Sequence, residues 1–353
     1  MIFLKKILLF TLIVFLFPFS TYAYSRSTIV MDVDSGRVLY SKNSSEKRLI
    51  ASITKIMTAV IVLENCELEK EIIVGDEVRS IYGTNIYIKP GEVLTIKDLL
   101  YGLMLRSGND AAITLAAQTF GIEEFVKKMN TKAQELGMQN TLFTNPHGLD
   151  DDTKNYSSAY DMALLGRYAF QNSLYRQIVS TKKYVTKSSL KSYIWYNRMS
   201  LLNRYEYCVG GKNGYTPKAG KTLVSYAQKN NTTLMIVTLD NDNLYETHRQ
   251  LYETYFSKYQ KYVILNPKSF QLDSTIIKGN YYIKESFEYV LSMDELEDVS
   301  TLVEFYPVTK EKKAGIIHVH LNDKEIGKID IYQKDKKEKK DISIFQKIRN
   351  LFV

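Results

Sequence analysis

Cysteine and histidine are scarce in the 353-residue sequence, which contains two cysteines and four histidines. Two cysteines allow at most one intramolecular disulfide, which excludes a small scaffold held together by disulfides. His318 and His320 alternate along a predicted strand and face one side of it, but two histidines without a third ligand rarely form a zinc site. We therefore predict neither a metal site nor a cofactor.

An arginine-rich face is also lacking, although the net charge is +8. Lysines are spread along the chain and become denser near its carboxyl end. This distribution favours a negatively charged surface or wall as partner and argues against binding of nucleic acid. With 45% hydrophobic and 24% charged residues, the chain can bury a full core and has room for two domains.

The apolar run at the amino terminus is short. It covers residues 7–17, follows Lys5 and Lys6, and precedes Thr21 and Ala23, which are small residues where signal peptidase requires them. An uncleaved anchor is the alternative, but a helical membrane span needs about 20 apolar residues. We predict that residues 1–23 are a signal peptide and that the chain is exported.

Ser52 and Lys55 are predicted to stand one turn apart on the same face of a helix. Apolar residues at positions 53, 56, 57, 60 and 61 follow helical spacing, with Ser52 at the opening turn. A serine hydroxyl becomes a nucleophile when a base takes its proton, and a lysine can do so if desolvation or neighbouring positive charge lowers its pKa. The helix amino terminus adds backbone N–H groups that can receive an oxyanion. Alternatively, Ser52 merely caps a core helix and Lys55 points into water.

Strand signals flank this helix. Runs at 27–32 and 37–40 surround an Asp-Ser-Gly turn and predict a hairpin, and shorter strands are predicted at 71–74 and 85–88.

A further helix is predicted after Thr95 and Asp98, which resemble a capping box. It ends at a glycine-containing turn that leaves two small polar side chains, Ser107 and Asn109, before a second helix from Asp110. An ordinary link between two helices would explain the turn equally well.

A third signal is Lys212-Asn213-Gly214, just before two runs at 222–227 and 233–239 that predict paired antiparallel strands. A lysine on a strand edge can supply charge to a site. Without a side chain at Gly214, substrate backbone can approach the strand closely.

Taken together, the three motifs match the signature of penicillin-binding proteins and serine β-lactamases. They are Ser52-x-x-Lys55, Ser107-x-Asn109 and Lys212-Asn213-Gly214, in this order. Further blocks extend the resemblance to the low-molecular-mass D-alanyl-D-alanine carboxypeptidases over residues 27 to about 260. These blocks are 38–40, 51–59, 105–112, 129–130 with 135–138, 145–149, 158–163 and 197–198.

The resemblance implies an α+β fold with two domains. A penicillin-binding or serine β-lactamase-like catalytic domain, with an antiparallel sheet flanked by helices, is expected over residues 24–264, and a small β-rich domain over 265–333. Short β-like runs after Asn266-Pro267 agree with the second domain. They lie at 274–277, 281–283, 287–291, 301–306, 315–321 and 325–331.

Residues 334–353 have a different character. Five lysines between positions 334 and 340 precede four apolar residues at helical spacing, which are Ile342, Phe345, Ile348 and Phe352. They predict a basic amphipathic helix that lies on the membrane surface, to which each lysine contributes about 1 kcal/mol. A solvated tail is the alternative. We predict peripheral attachment at the extracytoplasmic face of the cell membrane.

The resemblance also implies roles for the matching residues. Ser52 would attack the carbonyl between two D-alanines and form an acyl-enzyme, with Lys55 as its base. Ser107 would relay a proton toward the leaving amine, and Asn109 would orient the acyl part of the substrate. Lys212 would help to keep Lys55 neutral and would attract the substrate carboxylate.

One motif position departs from the family. Asn213 replaces the usual threonine, whose hydroxyl helps to hold the terminal carboxylate, but an amide still offers donors. Gly214, Tyr215 and Thr216 are further substrate-binding candidates, Thr216 as a nearby hydroxyl. The backbone N–H groups of Ser52 and Tyr215 would form the oxyanion hole.

The predicted function is a serine-type D-Ala-D-Ala carboxypeptidase that trims peptidoglycan stem peptides and is inhibited covalently by β-lactams. A serine β-lactamase is one alternative, although the Glu-x-x-Leu-Asn pattern of class A enzymes does not follow Ser107. A non-catalytic wall-binding protein is another, because Asn213 departs from the family. A triad of serine with His147 and Asp161 is not needed, since Lys55 already supplies a base. Arg198 could support the site or pair with a carboxylate.

Overall fold

The computed structural model describes residues 25–272, 280–306 and 313–334. The predicted signal peptide, the predicted strand at 274–277 and the predicted C-terminal helix beyond residue 334 lie outside the described residues. The chain divides into two compact units, one that ends at Ser257 and one that begins at Lys258.

The first unit is α+β. Its strands are β1 (Ser25–Asp32), β2 (Val38–Lys42), β3 (Arg48–Leu49), β4 (Glu71–Ile73), β5 (Val93–Thr95), β6 (Tyr156–Ser157), β7 (Lys183–Lys187), β8 (Ser192–Tyr196), β9 (Cys208–Thr216), β10 (Gly220–Lys229) and β11 (Thr232–Asn241). Its helices are α1 (Lys55–Asn65), α2 (Ile96–Arg106), α3 (Asn109–Thr119), α4 (Ile122–Glu135), α5 (Ala159–Gln171), α6 (Ser173–Ser180), α7 (Leu201–Arg204) and α8 (Leu244–Lys258). 

The main sheet is antiparallel and has the strand order β2-β1-β11-β10-β9. The predicted hairpin of β1 and β2 is confirmed, and so is the pairing of β10 with β11, in which Leu223 lies opposite Thr238. β9, which carries the Lys212 motif, is an edge strand.

Both faces of this sheet are covered, which explains the continuous apolar runs in its central strands. Along β11, Leu234 and Ile236 pack in a core with residues of α8, whereas Met235 and Val237 pack on the other face in the larger helical core. This larger core surrounds α1, of which residues 55–62 are all buried. A helix that is apolar on all sides belongs in such an interior.

Two predictions around α2 have opposite outcomes. The capping box is confirmed, because Thr95 and Asp98 exchange hydrogen bonds at the start of the helix. The strand predicted at 85–88 is wrong. The backbone N–H groups of residues 86–88 donate to the carboxylate of Asp110 rather than to a neighbouring strand.

The second unit is β-rich. Its strands are β12 (Tyr259–Leu265), β13 (Tyr281–Ile283), β14 (Phe287–Ser292), β15 (Val299–Phe305), β16 (Lys313–Leu321) and β17 (Lys324–Gln333). β12 pairs with β14, and the other four form a sheet in the order β13-β17-β16-β15. Within the three described ranges, no helix combines the length with the apolar character that crossing a bilayer requires.

Candidate active site

Ser52 stands in a 3-10 turn, Ala51–Thr54, that leads directly into α1. Ala51 has a φ of +50°, in the left-handed region that costs a non-glycine residue roughly 1–3 kcal/mol. Two neighbours hold this turn. Thr222 donates from Oγ1 to the carbonyl oxygen of Ile50, just before the turn, at 3.0 Å. A Cβ on Gly148 would lie only 2.1 Å from the carbonyl oxygen of Ala51. The nucleophile candidate therefore lies on a constrained turn at the amino end of a buried helix.

Lys55 is fully buried and touches the serine. Its Nζ lies 3.2 Å from Ser52 Oγ, 2.7 Å from Asn109 Oδ1 and 2.6 Å from the carbonyl oxygen of His147. A neutral amine has two N–H groups and one lone pair. The two N–H groups match the Asn109 and His147 oxygens, so the lone pair remains for the Ser52 hydroxyl. This is the geometry that a general base requires.

The electrostatics of the site favour a neutral Lys55. Burial lowers the pKa of Lys55 well below its ordinary value, and the charge of Lys212 lowers it further, whereas the carboxylate of Asp110 raises it. Burial, with a smaller contribution from Arg198, lowers the pKa of Lys212 to about 7. A second cation beside Lys55 thus helps to keep the base unprotonated.

Ser107 and Lys212 are in direct contact. Ser107 follows α2 with a φ of +63°, and Lys212 Nζ donates to its Oγ at 3.0 Å. The same Nζ also donates to the carbonyl oxygen of Asn213 at 2.6 Å. Since Lys55 contacts Asn109, the structure brings all three sequence motifs together in one site.

Asn109 and Asp110, at the start of α3, organise the loop that precedes α2. Asn109 donates from Nδ2 to the carbonyl oxygen of Tyr82 at 2.7 Å, and Asp110 accepts the backbone N–H groups of residues 86–88. Burial raises the pKa of the Asp110 carboxyl. The sequence motifs indicate no role for Tyr82 or Asp110, and their one signal is that Asp110 directly follows the Ser-x-Asn motif.

Gly214 lies against the turn of the nucleophile. A Cβ on Gly214 would lie 2.7 Å from the backbone nitrogen of Ser52 and 3.1 Å from that of Ile53. We expected this glycine to admit substrate backbone. In the structure, β9 packs so closely against the Ser52 turn at Gly214 that no space remains for a side chain there.

Asn213, Tyr215 and Thr216, the neighbours of Gly214 on β9, differ in their exposure and contacts. The side chain of Tyr215 is 63% exposed, and Asn213, Gly214 and Tyr215 line a cavity of about 470 Å³ together with Arg204. The hydroxyl of Thr216 is not a free donor for substrate, because it donates to Asp150 at 2.6 Å and accepts a backbone N–H.

The remaining candidates also have defined positions. Arg198 donates from Nη1 to Thr84 Oγ1 at 3.3 Å, next to the site. Burial, helped by the charge of Lys55, lowers the pKa of His147 to about 3, and its Nδ1 accepts the backbone N–H of Leu149. Asp161 accepts hydrogen bonds from residues 140 and 141 instead of from a histidine.

His318 of the second unit lies beside two carboxylates. His318 contacts Glu325 at 2.6 Å and Glu304 at 3.3 Å. Within the part of the chain that the structure describes, no three His, Cys, Asp or Glu side chains form a group that could hold a metal ion.

This arrangement defines the class of serine acyl-transfer enzymes of the penicillin-binding type. Its features are a serine with a buried lysine as base, a second serine hydrogen-bonded to a second lysine, and an antiparallel edge strand beside them. The sequence model of the D-alanyl-D-alanine carboxypeptidase family, peptidase S11, matches residues 20–243, and the chain belongs to this family.

Individual relatives agree with this assignment. D-alanyl-D-alanine carboxypeptidase DacF of Bacillus subtilis is 33% identical over 289 residues, which cover 79% of this chain and 72% of the relative. The crystal structure of a D-alanyl-D-alanine carboxypeptidase from Mycobacterium tuberculosis matches with a TM-score of 0.64 and 31% identity, over 70% of this chain and 93% of its own. Penicillin binding protein 5 of Haemophilus influenzae matches with a TM-score of 0.74 over 89% of this chain and 97% of its own; at 24% identity, this match supports the fold alone.

Proposed function

We propose that this chain is a serine-type D-Ala-D-Ala carboxypeptidase that removes the terminal D-alanine from peptidoglycan stem peptides. The observation that carries the proposal is the buried Lys55, whose Nζ lies 3.2 Å from Ser52 Oγ while two oxygen acceptors occupy its other hydrogen-bonding positions. Membership of the carboxypeptidase family and the names of the relatives support the same reaction.

Acylation begins when Ser52 Oγ attacks the carbonyl carbon between the two D-alanines and transfers its proton to Lys55. The backbone N–H groups of Ser52 and Tyr215 stabilise the resulting oxyanion, and one such donor typically contributes about 2.7–4 kcal/mol. The C–N bond then breaks. The proton that Lys55 accepted passes through Ser107, which Lys212 contacts, to the leaving amine. Lys55 is then neutral again, and free D-alanine departs.

Deacylation repeats these steps with water. A water molecule attacks the ester carbonyl, Lys55 takes its proton, and the C–O bond to Ser52 breaks. The shortened peptide leaves, and Ser52 recovers its hydroxyl proton.

Lys212 and Asn213 are the residues that bind the carboxylate end of the substrate in this proposal. The terminal carboxylate favours the charged form of Lys212, which then provides positive potential for it. The Asn213 amide offers donors where the family usually has a hydroxyl. Asn109 orients the acyl part of the substrate. A β-lactam, whose ring amide presents a similar carbonyl beside a carboxylate, would acylate Ser52 in the same way.

The substrate and the basic composition support an extracytoplasmic location. We propose export by residues 1–23, a catalytic domain over 24–264, a β-rich domain over 265–333, and peripheral membrane attachment through residues 334–353.

The test is release of D-alanine from a peptide that ends in D-Ala-D-Ala, together with intact-mass analysis after exposure to penicillin. We expect release and a stable adduct with the parent protein. We expect neither with Ser52→Ala, and both with Ser180→Ala, which alters an exposed serine. Rapid turnover of the β-lactam would indicate a β-lactamase instead. A folded protein that releases no D-alanine would indicate a binding protein.

A further inference from the structure

The hairpin of β7 and β8 presents an exposed apolar face. Val185, Leu190, Ile194 and Tyr196 are 59%, 59%, 56% and 58% exposed, and Val185 lies directly opposite Ile194. Fifteen large apolar side chains are exposed among the described residues, and four of them fall within these twelve positions. Single exposed apolar side chains are ordinary, whereas a group on one surface marks an interaction site.

The inner face of the hairpin is firmly attached to its own unit. Tyr184 stacks on Tyr101 of α2 with ring centroids 3.7 Å apart, and its hydroxyl donates to Asp98 at 2.8 Å. Trp195 is buried, and the Tyr193 hydroxyl donates to the Glu92 carboxylate at 2.7 Å. Because side chains alternate along a strand, the residues between these anchors must point outward. The apolar face is thus held in place.

The charge of the chain segment that contains this hairpin has one sign. Residues 162–205 contain eight arginines and lysines and no acidic residue. On the hairpin itself Lys182, Lys183 and Lys187 are exposed, and Lys183 Nζ lies 5.6 Å from the centroid of the Tyr196 ring. Exposed apolar side chains with a rim of lysines match the interface of an anionic bilayer, where apolar groups enter the boundary and cations meet phosphates.

We propose that this hairpin docks on an anionic membrane surface, with Val185, Leu190 and Ile194 in the interface and Lys183 and Lys187 at the headgroups. A soluble polyanion would engage the lysines but would leave the apolar side chains in water. The apolar group therefore favours the membrane as the partner.

Docking would fix the orientation of the catalytic unit. β8 leads to Arg198, whose backbone N–H donates to the carbonyl oxygen of Leu105 at 3.0 Å, and α2 ends one residue later, before Ser107. The proposed membrane contact is therefore linked to the catalytic site through a few residues and one backbone hydrogen bond. This contact does not depend on the proposed reaction or on the segment after residue 334.

The first test is local fluorescence quenching in the full-length chain. Trp195 is the sole tryptophan and faces inward, so the parent protein gives the baseline, and Tyr196→Trp places a reporter on the outer face. We expect vesicles of phosphatidylglycerol and brominated phosphatidylcholine to quench this reporter. Tyr160→Trp, at a 40% exposed position on α5, is the matched control and should stay at the baseline.

The second test is vesicle partitioning. We expect Lys183→Gln with Lys187→Gln to weaken binding to anionic vesicles about tenfold or more, because each lysine near such a surface contributes about fivefold. Val185→Ser with Ile194→Ser should remove the quenching at position 196. Leu302→Ser with Lys268→Gln, exposed positions in the second unit, should change neither.

Two outcomes would overturn the proposal. One is a protein that sediments with vesicles while the residue 196 reporter is no more quenched than the residue 160 reporter. The other is tight binding to soluble polyphosphate that depends on the hairpin lysines, without any lipid quenching. Unchanged D-alanine release and melting temperature in each variant exclude misfolding as the cause of a negative result.

Discussion

Gly214 packs against the backbone of Ser52 so closely that a Cβ on the glycine would lie 2.7 Å from the serine nitrogen. This is closer than real Cβ atoms approach other heavy atoms. The next residue on this edge strand is Tyr215. The contact therefore sets the spacing between the two backbone N–H groups that we propose for the oxyanion hole.

Gly214→Ala should consequently impair acylation. We expect kcat/KM for D-alanine release to fall by about 10²-fold or more, because the new methyl group pushes β9 away from the Ser52 turn and misplaces one oxyanion donor. Gly121→Ala is the control. At that position φ is +81° but nothing lies within 4 Å of the added Cβ, so stability should fall while the rate is unchanged. A wild-type acylation rate in Gly214→Ala would refute this role of the contact.

Lys212 should lower the free energy of unfolding increasingly as the pH falls from alkaline to neutral values. Its pKa is about 7 in the folded protein and 10.5 for an ordinary lysine. Between these values the unfolded chain holds a proton that the folded chain lacks, so stability falls as pH falls from 10.5, and the loss is complete below about pH 7. We expect Lys212→Met to abolish D-alanine release and to raise the free energy of unfolding by about 1–4 kcal/mol at about pH 6, but by less at about pH 10.

Urea unfolding at the two pH values measures this difference. The exposed Lys154→Met is the control and should show no such pH dependence. Equal stabilisation by Lys212→Met at both pH values would mean that the ammonium group is not desolvated in the folded protein.

Local patterns explain why much of the fold and the site could be predicted. The capping box of Thr95, the paired strands β10 and β11, and the Ser52–Lys55 spacing each depend on residues close in sequence. Because the three motifs also match a known signature, their convergence in one site could be expected.

The errors have a common physical cause, which is hydrogen bonding between distant segments. Residues 85–88 alternate like a strand, but the N–H groups of residues 86–88 donate to Asp110, more than twenty residues away. The carbonyl oxygen of His147 that holds Lys55 belongs to the backbone, and no residue type reports such a contact. β12 begins directly after α8 without a turn signal, so its pairing with β14 was not predicted.

Asp110→Asn should change both the loop and the pH profile. An amide has one acceptor oxygen in place of two, so fewer of the N–H groups of residues 86–88 remain satisfied, and we expect faster proteolysis within residues 79–92. Since the Asp110 carboxylate raises the pKa of Lys55, its removal should lower that pKa and move the acid limb of kcat/KM to lower pH. The exposed Asp76→Asn is the control for charge. A shift of the limb to higher pH would contradict the assignment of Lys55 as the base.

Thr216→Val should separate a structural role of this hydroxyl from a role in binding substrate. Thr216 is buried, and its hydroxyl donates to Asp150 at 2.6 Å, so valine leaves the carboxylate without this donor and should cost about 1–3 kcal/mol of unfolding free energy. Thr216→Ser keeps the hydroxyl and should retain most of that stability.

Because the Thr216 hydroxyl is engaged within the protein, we expect KM for the D-Ala-D-Ala peptide to change less than twofold in the serine variant. Asn213→Ala, which removes an amide beside the site, should instead raise KM. Thermal unfolding and steady-state kinetics on the three variants measure both effects. A Thr216→Val protein with parental stability and a greatly raised KM would instead place this hydroxyl on the substrate.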